Sequence, residues 1–152
     1  MIKTIIFDFD GVIVESVDIK TNAFAKLFEH EGEEIVKRIV NYHLDNTGVS
    51  RYEKFKYIYK EILNRPLNDD EFQMLCNKFA NLVVDGVVKA PYVKGAKEFL
   101  ESYAEKYNYF VISATPQDEI EEIIKEQNVT HFFKAVYGAP IKKKGCGQRY
   151  FD

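Results

Sequence analysis

From Ile2 to Phe7 the chain carries a nearly unbroken β-branched and aromatic run. That is the pattern of a strand buried on both faces. After Ser16 the spacing changes to that of helices. Ala23, Phe24, Leu27 and Phe28 recur every three to four residues, as do Ile35, Ile39 and Val40. Ser50, with Glu53 three residues on, has the capping-box pattern, and Tyr52, Phe55, Ile58, Tyr59 and Ile62 follow on one face. Pro66 disfavours helical geometry at Arg65, so this helix should end near Asn64. Asn68 or Asp69 can cap a further helix bearing Phe72, Leu75, Cys76, Phe79, Leu82 and Val83.

Beyond Ala90-Pro91 the pattern changes again. Ala96, Phe99, Leu100, Tyr103 and Tyr107 mark a helix, and Tyr109 to Ile112 a strand. Thr115-Pro116 reads as the start of a helix carrying Ile120, Ile123 and Ile124, with Thr115 as its cap and Pro116 in its first turn. Phe132 to Tyr137 give a third strand. Strand, helical block, helix, strand, helix, strand is the order of an α/β fold with a parallel sheet. The expected division is an α/β core, residues 1–14 and 92–152, with an all-helical insert, residues 15–91.

Composition narrows the class. At 152 residues, 46% hydrophobic and 30% charged, the chain can bury a sizeable core. A net charge of −3 gives no reason to expect nucleic acid or an anionic membrane as partner. No apolar stretch approaches the roughly 20 residues that span a bilayer, and the N-terminus does not fit a signal peptide. Cys76 and Cys146 match no metal or redox spacing. The expectation is a soluble, cytoplasmic protein with free thiols. His30, His43 and His131 lack partners at metal-site or triad spacing and read as structural or surface residues.

Candidate chemistry concentrates where the first strand ends. Asp8 and Asp10 stand two apart, followed by Gly11, where a tight turn needs a residue without a Cβ. Open α/β sheets place their chemistry outside the carboxyl ends of the strands. Ser113 ends the second strand and, in a parallel sheet, would face the same crevice as Asp8. Lys142-Lys143-Lys144 follows the turn Gly138-Ala139-Pro140 after the third strand. In the helical block Arg51 and Lys54 are three apart and share a helix face. They read either as a solvated surface or as residues reaching toward a polar ligand.

The run Ile5-Ile6-Phe7-Asp8-Phe9-Asp10-Gly11-Val12-Ile13 resembles motif I of the haloacid dehalogenase (HAD) superfamily: hydrophobic strand, then Asp-x-Asp-Gly-[Val/Thr]-[Ile/Leu]. Val111-Ile112-Ser113 looks like motif II, and Gly138-Ala139-Pro140 with the lysines like motif III. The resemblance implies a Rossmann-like HAD core with a C1-type helical cap. It implies a Mg²⁺-dependent phosphatase acting on a small phosphorylated metabolite. Asp8 would be the nucleophile, Asp10 the acid/base, Ser113 a phosphoryl-binding hydroxyl, and Lys143 or Lys144 the neutralising cation. Mg²⁺ would be held by Asp8 and Asp10, and Arg51 and Lys54 of the cap would contact substrate. HAD enzymes continue to a fourth strand and an acidic motif IV, commonly Gly-Asp-x-x-x-Asp. Gly145 to Asp152 carry neither, which implies a core truncated at its C-terminus, weaker Mg²⁺ binding, and an exposed sheet edge open to homodimerisation. The alternatives are a catalytically dead HAD-like binding domain and a HAD phosphomutase.

Overall fold

The computed structural model describes residues 2–140. By its internal contacts the chain divides into two units. Of the described residues, one holds 2–16 and 87–140, and the other is Val17–Gly86.

The first unit is built on three parallel strands in the order β1-β2-β3: β1 Thr4–Phe7, β2 Asn108–Pro116 and β3 Phe133–Ala139. Strand β1 starts later than the apolar run suggests, and β2 runs four residues further, through Thr115-Pro116. Helices α5 (Ala96–Tyr103) and α6 (Gln117–Glu126) precede β2 and β3. Tyr107 lies beyond the end of α5. Leu100 of α5 and Ile120, Ile123 and Ile124 of α6 are fully buried, each contributing roughly 1.5–3 kcal/mol. Phe7 meets Tyr109 edge-on at 5.3 Å, with Phe99 and Phe133 also ringed about it.

The second unit is helical: α1 Val17–Leu27, α2 Glu33–Asp45, α3 Arg51–Tyr57 and most of α4, Asp69–Val88. Ser50 caps α3, its hydroxyl accepting from the Glu53 N–H. Asn68 caps α4 in the same way, accepting from the Glu71 N–H at 2.9 Å. The end of α3 widens into a π-helical turn, Ile58–Ile62, and Asn64 takes a left-handed φ of 53° that stops the run. Phe24, Phe28, Phe55 and Phe79 form an aromatic core, with Phe24 and Phe79 centred 4.7 Å apart. Among the described residues no helix is long and apolar enough to cross a membrane.

Candidate active site

The site grows from the turn that follows β1. Phe9, between the two aspartates, is completely buried, and its carbonyl accepts from the Ile13 N–H at 2.8 Å. Gly11 sits at φ 71°, a left-handed conformation in which a Cβ would be strained, and its N–H donates to the Val14 carbonyl at 2.8 Å. Ile13 and Val14 are buried, and the turn is stitched to the Pro91–Val93 segment by Glu15 N–H to the Pro91 carbonyl and Val93 N–H to the Ile13 carbonyl. Alternation therefore sinks Phe9 as an anchor and leaves Asp8 exposed and Asp10 half-buried.

Phe7 pairs with Val111, so Asp8 lies one residue and Ser113 two residues past the last pair of β1 and β2. Asp8 lies just past the end of β1, while Ser113, expected to end the second strand, lies three residues short of the end of β2. Asp8 accepts from the N–H of Phe9 at 2.7 Å. The Asp10 carboxylate is held at both oxygens: the Ser16 hydroxyl donates to Oδ1 at 2.6 Å, and the Thr115 hydroxyl to Oδ2 at 3.1 Å. Hydrogen bonds to an ionised carboxylate are short and about twice as strong as neutral ones. Ser16, Ser113 and Thr115 are all buried, and the Thr115 N–H donates to Ser113 Oγ at 3.1 Å.

Thr115 corrects the sequence reading. It is the penultimate residue of β2, Pro116 occupies the N-cap of α6, and no side chain caps that helix. A Thr-Pro pair suits a helix start, but β2 stays extended to pair Pro116 with Ala139. Ser113 and Thr115 thus share one strand face, an alternation that was available in the sequence. Ser16 gave no such cue, since its contact with Asp10 depends on the fold of the turn.

The end of β3 is locked to the same place. The Gln117 carboxamide accepts from the Gly138 N–H at 2.6 Å and donates to the Val136 carbonyl at 3.1 Å. Lys142, Lys143 and Lys144 lie outside the described residues.

Arg51 and Lys54 lie in the helical unit, both buried on α3. The Arg51 guanidinium stacks over Phe79, 4.5 Å from its centroid. Lys54 Nζ is 2.8 Å from His43 Nδ1, and His43 in turn stacks on Phe24. His43 is thus a buried structural residue. Burial also replaces the solvated-face reading of Arg51 and Lys54.

A family model described as haloacid dehalogenase-like hydrolase matches residues 5–144. The chain belongs to that family. No curated protein matches it by sequence. Among solved structures, a protein from Haemophilus somnus 129PT described as a predicted phosphoglycolate phosphatase superposes with a TM-score of 0.70 at 18% identity. That comparison covers 93% of this chain and 64% of the other. A β-phosphoglucomutase from Clostridium difficile gives a TM-score of 0.74 at 21% identity, over 94% of this chain and 64% of its own. A protein described as a HAD hydrolase, YfnB, from Bacillus subtilis, solved bound to magnesium, gives 0.63 at 14% identity, over 91% and 65%. The chain thus spans about 64% of the length of the first two of these proteins.

Among the described residues no three His, Cys, Asp or Glu side chains gather into a metal-binding group. Mg²⁺ is nonetheless commonly held by one or two carboxylates, with water and substrate phosphate completing its six oxygens. The exposed Asp8 carboxylate and the Asp10 backbone carbonyl fit that ion in kind.

Proposed function

We propose that this chain is a HAD phosphatase that hydrolyses a small phosphorylated metabolite through an aspartyl-phosphate. One observation carries the reading. An exposed carboxylate, Asp8, stands two residues from a carboxylate held at both oxygens, Asp10, with the buried Ser113 hydroxyl near the carboxyl end of the adjacent strand. An accessible nucleophile beside a fixed proton carrier and a hydroxyl donor is what phosphoryl transfer to a carboxylate requires.

In the first half-reaction an Asp8 oxygen attacks phosphorus, forming the Asp8–phosphorus bond as the bond to the leaving oxygen breaks. Protonated Asp10 gives its proton to that oxygen. In the second, Asp10 takes a proton from water as the water oxygen attacks phosphorus, which frees Asp8 and releases inorganic phosphate. The Ser113 hydroxyl donates to a phosphoryl oxygen throughout. Asp8 and the Asp10 carbonyl would hold Mg²⁺, which supplies the positive charge that lets an anionic carboxylate approach an anionic phosphate. Lys143 or Lys144 adds to that neutralisation, and Arg51 and Lys54 are the residues of the helical unit assigned to substrate recognition.

The test is Mg²⁺-dependent release of inorganic phosphate from a generic aryl phosphate by the full chain. Activity lost on Asp8→Asn and on EDTA treatment is expected. Turnover unaffected by Asp8→Asn would overturn the reading. A phosphomutase would pass the phosphoryl group to a second substrate hydroxyl and release little inorganic phosphate. A non-catalytic binding domain would bind phosphate esters and release none.

A further inference from the structure

The two hydroxyls on Asp10 raise the question of why β2 ends in Thr115. Threonine and valine have nearly the same shape, and valine forms strands at least as well. Thr115 is only 3% exposed, and a buried hydroxyl costs free energy unless it is hydrogen-bonded. Its partner is Asp10 Oδ2, 105 residues earlier in the chain. Meanwhile the backbone N–H of Thr115 donates to Ser113 Oγ. A serine hydroxyl has one proton to give, so accepting at a lone pair leaves that proton available to a phosphoryl oxygen.

We propose that Thr115 is a positioning residue that orients the Asp10 carboxyl toward the leaving oxygen while its backbone orients the Ser113 hydroxyl. The proposal rests on the reading of Asp10 as the acid/base given above. Thr115 itself transfers no proton and touches no reacting atom. It joins the phosphoryl-binding hydroxyl to the proton carrier, so that both are set by one residue at the end of β2. Ser16 holds the other Asp10 oxygen from within the turn, and Thr115 adds a restraint from a different strand.

The side-chain and backbone contributions of Thr115 are separable. Thr115→Val removes the hydroxyl and keeps the N–H, so Ser113 keeps its orientation. The expected result is a fall in kcat of about 10²-fold on an alkyl phosphate, whose leaving group needs a proton. Inhibition by inorganic phosphate stays within about twofold of wild type, because the phosphoryl-binding side is untouched. For dinitrophenyl phosphate, whose leaving group departs unprotonated, the first-turnover release rate should fall by less than about fivefold. Thr115→Ser restores the alkyl phosphate rate. An equal loss on both substrates, or a matching loss of phosphate inhibition, would overturn the proposal and leave Thr115 a packing residue.

A second arm does not depend on turnover. Unfolding of Thr115→Val, Asp10→Ala and the double variant is compared by urea titration. The double variant should be more stable than additivity allows, by about tenfold in the unfolding constant. Additivity would overturn the proposal. Coupling without any turnover by wild type would leave the bond standing, remove its positioning role and refute the phosphatase reading itself.

Discussion

Gly138→Ala is the perturbation whose outcome the structure fixes most tightly. A Cβ built there would lie 2.5 Å from the Thr115 carbonyl oxygen and 2.7 Å from both the Cα and the N of Gln117. All three are backbone atoms, so no side chain can swing aside. Restoring ordinary contact with the Thr115 oxygen requires the ends of β2 and β3 to part by about 0.9 Å. Overpacking of this kind typically costs about 1–3 kcal/mol, and with only backbone to yield the upper end applies. Displacement also strains the Gln117 bonds to Gly138 and Val136, worth about 1 kcal/mol apiece. A total of about 3–5 kcal/mol corresponds to a drop of about 6–20 °C in Tm for a chain of this size. Gly48→Ala serves as the control, since a Cβ there meets nothing within 4 Å and should shift Tm by no more than about 2 °C. Because the Thr115 carbonyl is the atom displaced, Gly138→Ala should also cut phosphatase turnover more than Gly48→Ala does. A Gly138→Ala protein melting within 2 °C of wild type would refute the close approach of the two strand ends.

Other outcomes follow from single residues. Asp8→Asn should lower turnover by more than about 10³-fold, and Asp10→Asn by about 10²–10⁴-fold with phosphate inhibition intact; steady-state kinetics separates the two. Arg51→Ala should change the ranking of natural phosphate esters far more than the rate on a small aryl phosphate, and it should destabilise the chain by about 1–2 kcal/mol through its lost stacking on Phe79. Equal losses on all substrates would remove Arg51 from substrate recognition. Burial, and then the bond to Glu71 at 2.7 Å, push the Tyr59 hydroxyl up from 10 to about 12. The fold therefore favours the neutral phenol, a stabilisation complete below pH 10 and lost as pH rises toward 12. Urea unfolding should show wild type weakening faster than Tyr59→Phe across that window; parallel decline would contradict the assignment.

The architecture was legible because its signals are local. The β-branched run of β1, the apolar stripes of α3 and α4, and the caps at Ser50 and Asn68 each follow from residues a few positions apart. The first aspartate pair was legible for the same reason, since strand, Asp-x-Asp and Gly11 are contiguous. What escaped the sequence depends on distance along the chain. Thr115 looked like a cap because Pro116 follows it, and only the pairing of Pro116 with Ala139 shows that β2 continues. The constraint on Gly138 comes from the backbone of Thr115 and Gln117, more than 20 residues earlier. Lys54 meets His43 from a different helix, a contact between positions 11 apart that no helical period predicts.

Phosphorylation of Asp8 during turnover can be read out by borohydride trapping. Reducing the aspartyl-phosphate during turnover converts that residue to homoserine, which peptide mass spectrometry can place. Homoserine is expected at position 8, in wild type and only with substrate and Mg²⁺ present. Sustained phosphate release with Asp8 unmodified, or homoserine at any other position, would contradict phosphorylation of Asp8.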